Sequence, residues 1–190
     1  SYTVRNSHFD DCKIASESLS GMSKISGSIF SGFSSGIDDF SLVEVAVSNT
    51  AFFNCDYDGA IDKRGGRITV SCSEFDTETG IRAMDAYVNL STTELAGYNN
   101  FSGTGHCIKL LNASGINLYK GRNIFSTSNA FYVSGTLNIP CTKKHGCYRK
   151  QDALNNHWGV YSGNQYRSPK HAPYYACNIC RPVVTTTYIN

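Results

Sequence analysis

Over the first two thirds of the chain, apolar and polar residues alternate in short runs, as in Val43-Glu44-Val45-Ala46-Val47, Ile68-Thr69-Val70-Ser71-Cys72 and Ala86-Tyr87-Val88-Asn89-Leu90. Short alternating runs bounded by Gly, Asn, Ser and Asp predict strands with one face buried. No stretch of residues 1–135 sustains a helical period, so helices are not predicted there. A longer period lies over the short one. Phenylalanine recurs at nearly even intervals, at Phe9, Phe30, Phe53, Phe75, Phe101 and Phe125, with the longest step just before Phe101. Each Phe is followed by a polar stretch and then by a small and an apolar residue, as in Gly36-Ile37, Gly59-Ala60-Ile61, Gly80-Ile81 and Asn129-Ala130-Phe131. A period of this size marks one supersecondary unit that cannot bury its own apolar face and must stack on copies of itself.

Two or three short strands per unit, stacked at about 4.8 Å per turn, describe a parallel β-helix. The predicted fold is an all-β solenoid of about six turns, with about 24 Å between its first and last Phe at that spacing. Like residues then lie above like, and the Phe ladder forms the spine of the core. Asn99, Asn100 and Asn123, just ahead of a Phe, suit corners, because the Asn side chain bonds the backbone and tolerates left-handed dihedrals.

The repeated Asn-Ser/Thr-x-Phe pattern followed by Gly-x-Ile resembles the right-handed parallel β-helix proteins of the pectin-lyase-like group, over residues 1–135. Asn155-Asn156-His157-Trp158-Gly159 is similar to the Asn-x-Trp-Gly segment that follows the last turns in exported bacterial members of that group. The resemblance implies a right-handed solenoid. It leaves function open, because the group holds polysaccharide lyases, glycoside hydrolases, adhesins and phage tailspikes.

Charge divides the chain. Residues 1–135 hold 10 Lys/Arg against 14 Asp/Glu, while residues 136–190 hold 7 against 1. All four prolines, the single Trp and six of the twelve Tyr also lie in the second part. The reading is a β-helix over 1–135 and a basic, aromatic C-terminal cap over 136–190, packed on the solenoid end, because an open end exposes apolar side chains and unpaired strand edges. The repeat starts at Ser1-Tyr2-Thr3-Val4 without a leader, which predicts that the chain is a piece of a larger parent protein. No apolar run is long enough to predict a membrane span.

Eight cysteines, an even number, favour an oxidising, extracellular or cell-surface location. Cys12, Cys55, Cys72 and Cys107 lie within the repeat at unmatched positions and are expected to be small buried residues. Cys141, Cys147, Cys177 and Cys180 are expected to form disulfides that staple the tail, each stabilising it by about 2–4 kcal/mol. Zinc held by the same thiols, or with His145, is the second choice, since the spacer between Cys141 and Cys147 is atypical for such a site.

The candidate chemistry is acidic. Asp39, Asp62 and Asp85 are equally spaced along the chain, and if stacked they would repel unless a cation such as calcium neutralised them. Asp38, Asp56 and Asp58 are near enough to contribute, although Asp is also a turn residue and Lys63 and Arg64 could compensate it locally. A lyase would add a basic residue, for which Arg82 or Lys109 is available. A polygalacturonase-like site fails, because Asp39 and His106 lie several turns apart in the repeat and the Asn-Thr-Asp and Arg-Ile-Lys motifs are missing. No Gly-x-Ser-x-Gly, phosphate loop or His-Glu-x-x-His occurs.

The tail supports binding. Lys143, Lys144, Arg149 and Lys150 surround Tyr148, with Trp158 and Tyr161 downstream, a set suited to stacking on sugar rings and drawing an acidic polysaccharide. Nucleic acid is not expected. The sequence therefore predicts a non-catalytic adhesion or carbohydrate-binding module of a larger secreted or cell-surface protein. A carbohydrate-active enzyme using the acidic face is the main alternative, and a purely structural stalk the second.

Overall fold

The computed structural model describes residues 1–17, 20–32, 35–55, 58–91, 97–103, 105–118, 122–126, 129–134, 157–158 and 187–189. The chain passes through three strands in each circuit. These are β1 (Thr3–Arg5), β2 (His8–Asp10) and β3 (Ile14–Ser16), then β4 (Ser23–Ser26), β5 (Ile29–Ser31) and β6 (Ile37–Asp39), then β7 (Glu44–Ser48), β8 (Ala51–Phe53) and β9 (Ile61–Arg64). They continue as β10 (Arg67–Ser71), β11 (Glu74–Asp76) and β12 (Thr79–Met84), then β13 (Tyr87–Asn89), β14 (Asn100–Phe101) and β15 (His106–Leu111), then β16 (Gly115–Asn117), β17 (Ile124–Phe125) and β18 (Asn129–Ser134). Every third strand pairs in parallel, giving a first sheet β1-β4-β7-β10-β13-β16, a second β2-β5-β8-β11-β14-β17 and a third β3-β6-β9-β12-β15-β18. This is the predicted parallel β-solenoid. The described residues contain no helix, and so none long and apolar enough to cross a membrane.

Alternation decides what each sheet sends inward. In the second sheet, one residue per strand stacks into a ladder of Phe9, Phe30, Phe52, Phe75, Phe101 and Phe125, with ring centroids 4.6–5.2 Å apart and planes within 11°. The member from the third circuit is Phe52. Phe53, assigned to the ladder by spacing, lies on the opposite face of β8 beside Asp76, because adjacent strand residues point to opposite sides. The third sheet contributes Ile14, Ile37, Ile61, Ile81 and Ile108 in register, and the first Val45, Ile68, Val88 and Ile116. Burying each large apolar side chain contributes about 1.5–3 kcal/mol.

The corner between the first and second sheets follows one rule in all six circuits. Its first residue has positive φ, at Asn6, Gly27, Asn49, Cys72, Tyr98 and Arg122. Its second residue is Ser, Thr or Asn, and at four steps its backbone N–H bonds the side chain of the next corner: Ser7 N donates to Ser28 Oγ, Thr50 N to Ser73 Oγ, Ser73 N to Asn99 Oδ1, and Asn99 N to Asn123 Oδ1. Asn99 and Asn123 are the predicted corner residues, whereas Asn100 begins β14. The extra length of the step from Phe75 to Phe101 enters between Asn89 and Tyr98.

The corner rule also corrects the cysteine expectation. Cys55 and Cys107 are buried, but Cys12 and Cys72 carry exposed thiols, Cys72 because it occupies the outward-facing left-handed corner position.

Gly66, between β9 and β10, has φ +62°, and a Cβ there would lie 2.5 Å from the Leu42 carbonyl carbon and oxygen. Gly66→Ala is expected to lower the unfolding free energy by at least about 1–2 kcal/mol, read from the denaturant midpoint.

Two short strands from the second part of the chain join the solenoid. β19 (His157–Trp158) adds in parallel to β17, with Trp158 opposite Phe125, and β20 (Thr187–Ile189) pairs antiparallel with β18. The cap over 136–190 otherwise lies outside the described residues. So do Cys141, Cys147, Cys177 and Cys180, and the binding candidates Lys143, Lys144, Tyr148, Arg149, Lys150 and Tyr161.

Candidate functional site

The third sheet carries the charged residues that the sequence singled out, but its register separates them. Ile37 pairs with Ile61 and Ile61 with Ile81, so the first step between circuits is longer in sequence than the second. Equal spacing in sequence therefore does not give equal height. The register partner of Asp39 is Lys63, one position past Asp62, and a slip of one turns a side chain to the other face. The partner of Asp62 is Arg82, well short of Asp85. Asp39 thus faces inward opposite Lys63, and Asp62 faces outward between Asp38 and Arg82. Asp85 stands at the left-handed corner after β12, accepting from Asn112 Nδ2 and Ala113 N. The three do not form the ligand set of one calcium ion. Among the described residues no group of three or more His, Cys, Asp or Glu is placed to hold a metal.

Asp39 and Lys63 form an ion pair sealed inside the solenoid, both side chains at 0% exposure. Lys63 Nζ donates to Asp39 Oδ1 at 2.5 Å and to the Ser41 carbonyl at 2.6 Å. Ser41 N and Oγ also donate to Asp39 Oδ1, and Ser16 Oγ to Oδ2. Burial alone would raise the Asp39 pKa, but the bonds from Lys63, Ser16 and Ser41 outweigh it and hold the carboxyl below the usual aspartate range. The neighbouring Tyr2 phenol is pushed up to about 12 by burial and by the Asp39 charge. Sealed from solvent, this cluster joins the first three circuits through Ser16, Asp39 and Lys63 and does not face a substrate.

The outer face presents Ala15, Asp38, Asp62, Arg82, Lys109 and Tyr132 in one row, one from each strand. Its acidic half is neutralised within the protein. Lys13 Nζ lies 2.9 Å from Asp38 Oδ2, and Asp62 Oδ2 accepts from Arg64 Nε, Arg64 Nη2 and Arg82 Nη1 at 3.1, 2.9 and 3.0 Å. Arg82 also lies 3.5 Å from Asp58, and Arg64 covers the Phe40 ring at 4.2 Å. The Asp62 side chain is left 2% exposed. Burial raises the Asp62 pKa; Arg64 and Arg82 pull against it, and the Asp38 charge adds to it.

Lys109 has no carboxylate partner among the described residues, and the next position is Tyr132, whose ring meets His106 edge-on at 5.5 Å. Burial, with the Lys109 charge, lowers the His106 pKa, against the pull of Glu78. Of the two basic residues that the sequence offered for a lyase, Arg82 is tied to aspartates and Lys109 is not. His106 lies on β15, three strands from Asp38 on β6, so the two do not meet.

A second polar group was not legible in the sequence because its members come from different circuits. On the outer face of the second sheet, His8 Nε2 lies 3.3 Å from Ser31 Oγ, which donates to Asp10 Oδ1 at 2.8 Å. Asp10 accepts from the serine hydroxyl and does not orient the imidazole, so this is a surface hydrogen-bond ladder and lacks the order of a Ser-His-Asp relay.

Comparison with protein-family models, curated proteins and solved structures finds no match to this chain. The class its fold defines is an all-β parallel solenoid with a charged and aromatic row along its third sheet.

Proposed function

We propose that the chain is a non-catalytic module of a larger secreted or cell-surface protein. In this reading it acts in adhesion, binding polysaccharide or another cell-surface ligand along the outer face of the third sheet. The observation that carries the reading is the division of that row. The acidic residues are held by Lys13, Arg64 and Arg82, with Asp62 closed to solvent, whereas Lys109, held by no carboxylate among the described residues, stands beside Tyr132 on the next strand. An ammonium beside an aromatic ring suits a sugar bearing a negative charge. On the first sheet one outward row runs Thr3, Lys24, Ala46, Thr69, Asn89 and Asn117, and a second sets Arg67 over the Tyr87 ring at 5.7 Å beside Glu44, a further cation and aromatic pair that the same ligand class could use. Kinship with the pectin-lyase-like proteins of exported bacterial type is part of the proposal. It is supported by the solenoid and by β19, formed within the Asn-x-Trp-Gly segment next to β17.

The test is retention and turnover on a panel of acidic and neutral polysaccharides, with and without calcium. Saturable, calcium-independent retention without products is expected, weakened about tenfold, or about 1.4 kcal/mol, by Lys109→Ala or Tyr132→Ala. New reducing ends or unsaturated products would replace this reading with the enzyme. Neither retention nor products would leave a structural stalk.

A further inference from the structure

We propose that Asp38 and Asp62, stacked on adjoining strands, share a single proton below neutral pH, and that taking it up latches the second and third circuits of the solenoid together. The two residues are direct register partners in β6 and β9. All the donors that reach Asp62 converge on Oδ2, and Oδ1 is buried without a hydrogen-bond partner. Asp38 repeats the pattern: Lys13 takes Oδ2, and Oδ1 is buried without a partner. A buried acceptor with no donor costs about 1–3 kcal/mol. One proton placed between the two carboxyls removes both deficits, because the protonated oxygen donates and the other accepts, and it cancels the repulsion of like charges across one strand spacing.

The surroundings favour a proton over a metal. The charged groups facing the pair are Lys13 ahead of β3, Asp58 ahead of β9, Arg64 on β9 and Arg82 on β12, with the Phe40 ring beneath Arg64. Three cationic side chains crowd the two carboxylates and oppose any added positive charge, but a proton needs only the two unpartnered Oδ1 atoms, whereas among the described residues no group of three or more His, Cys, Asp or Glu is placed to hold a metal ion. Burial, assisted by the Asp38 charge, raises the affinity of Asp62 for a proton despite the two arginines. A group with a raised native pKa contributes stability that is fully present below its unfolded value, about 3.9, and is lost as pH rises through the native value. The latch therefore closes as pH falls through the raised native value of Asp62 and opens above it.

The experiment is a carboxyl-carbon NMR titration of the intact chain, with unfolding midpoints followed from pH 7 to about 4. The Asp62 signal is expected to titrate above the free aspartate value of about 3.9, and to move down in Asp38→Asn, whose amide donates permanently to Asp62 Oδ1. The unfolding midpoint of the wild type is expected to rise relative to that of the variant as pH falls. Titration of Asp62 at or below the free value, as a pair bridged by water would show, overturns the proposal, as does a midpoint that ignores Asp38→Asn. Were the variant not to fold, the wild-type titration decides alone.

Discussion

Lys63→Met is expected to lower the unfolding free energy by about 3–5 kcal/mol, the cost of leaving the Asp39 carboxylate buried without its counter-charge. Methionine keeps the length of the lysine stem, so little of the loss comes from a cavity. The double variant Asp39→Leu/Lys63→Met is expected to recover most of it, because removing both charges also removes their desolvation cost. Denaturant midpoints of the wild type and the two variants measure this. A double variant no more stable than Lys63→Met would mean that the Ser16 and Ser41 hydroxyls, orphaned by the change, dominate the site. The pH dependence has a defined sign. The native pKa of Asp39 is depressed, so its contribution is present above the unfolded value of about 3.9 and is lost as pH falls through the native value. The gap between wild type and Lys63→Met should therefore narrow on acidification, the opposite of the trend expected for the Asp38–Asp62 pair.

Phe52→Ala is expected to cost about 3–5 kcal/mol, since Phe52 is wholly buried between the rings of Phe30 and Phe75. Phe53→Ala should cost at most about 1 kcal/mol, because its side chain is only half-buried on the outer face. The comparison tests the register directly. Equal losses at the two positions would show that β8 does not hold the inward face assigned to it.

The fold was legible because its signals are local and repeated. Phe9, Phe30, Phe75, Phe101 and Phe125 recur at nearly one period, and each strand alternates on its own over a short run, so errors at one circuit do not propagate. Where two candidates stood side by side, as at Phe52 and Phe53, a period that itself drifts from turn to turn could not choose between them. The candidate site was legible only as a set of residue types. Asp38, Asp39, Asp62, Arg82 and Lys109 all lie on the third sheet, but the equally spaced Asp39, Asp62 and Asp85 are not aligned in it. Which of them meet was not readable, because equal spacing in sequence is not equal height in a solenoid whose circuits differ in length.

The sequence by itself thus determined that the chain is a stack of short strands with an aromatic spine, since a unit of this size buries the apolar face of its alternating strands only by stacking on its copies. Only the tertiary structure decided that Asp39 is a buried partner of Lys63, that Asp62 is an outward neighbour of Asp38 and Arg82, and that Asp85 is a corner. The physical reason is the two-residue repeat of the strand: a slip of a single residue between circuits moves a carboxylate from solvent to core, and that slip is set by corner lengths that depend on the whole stack.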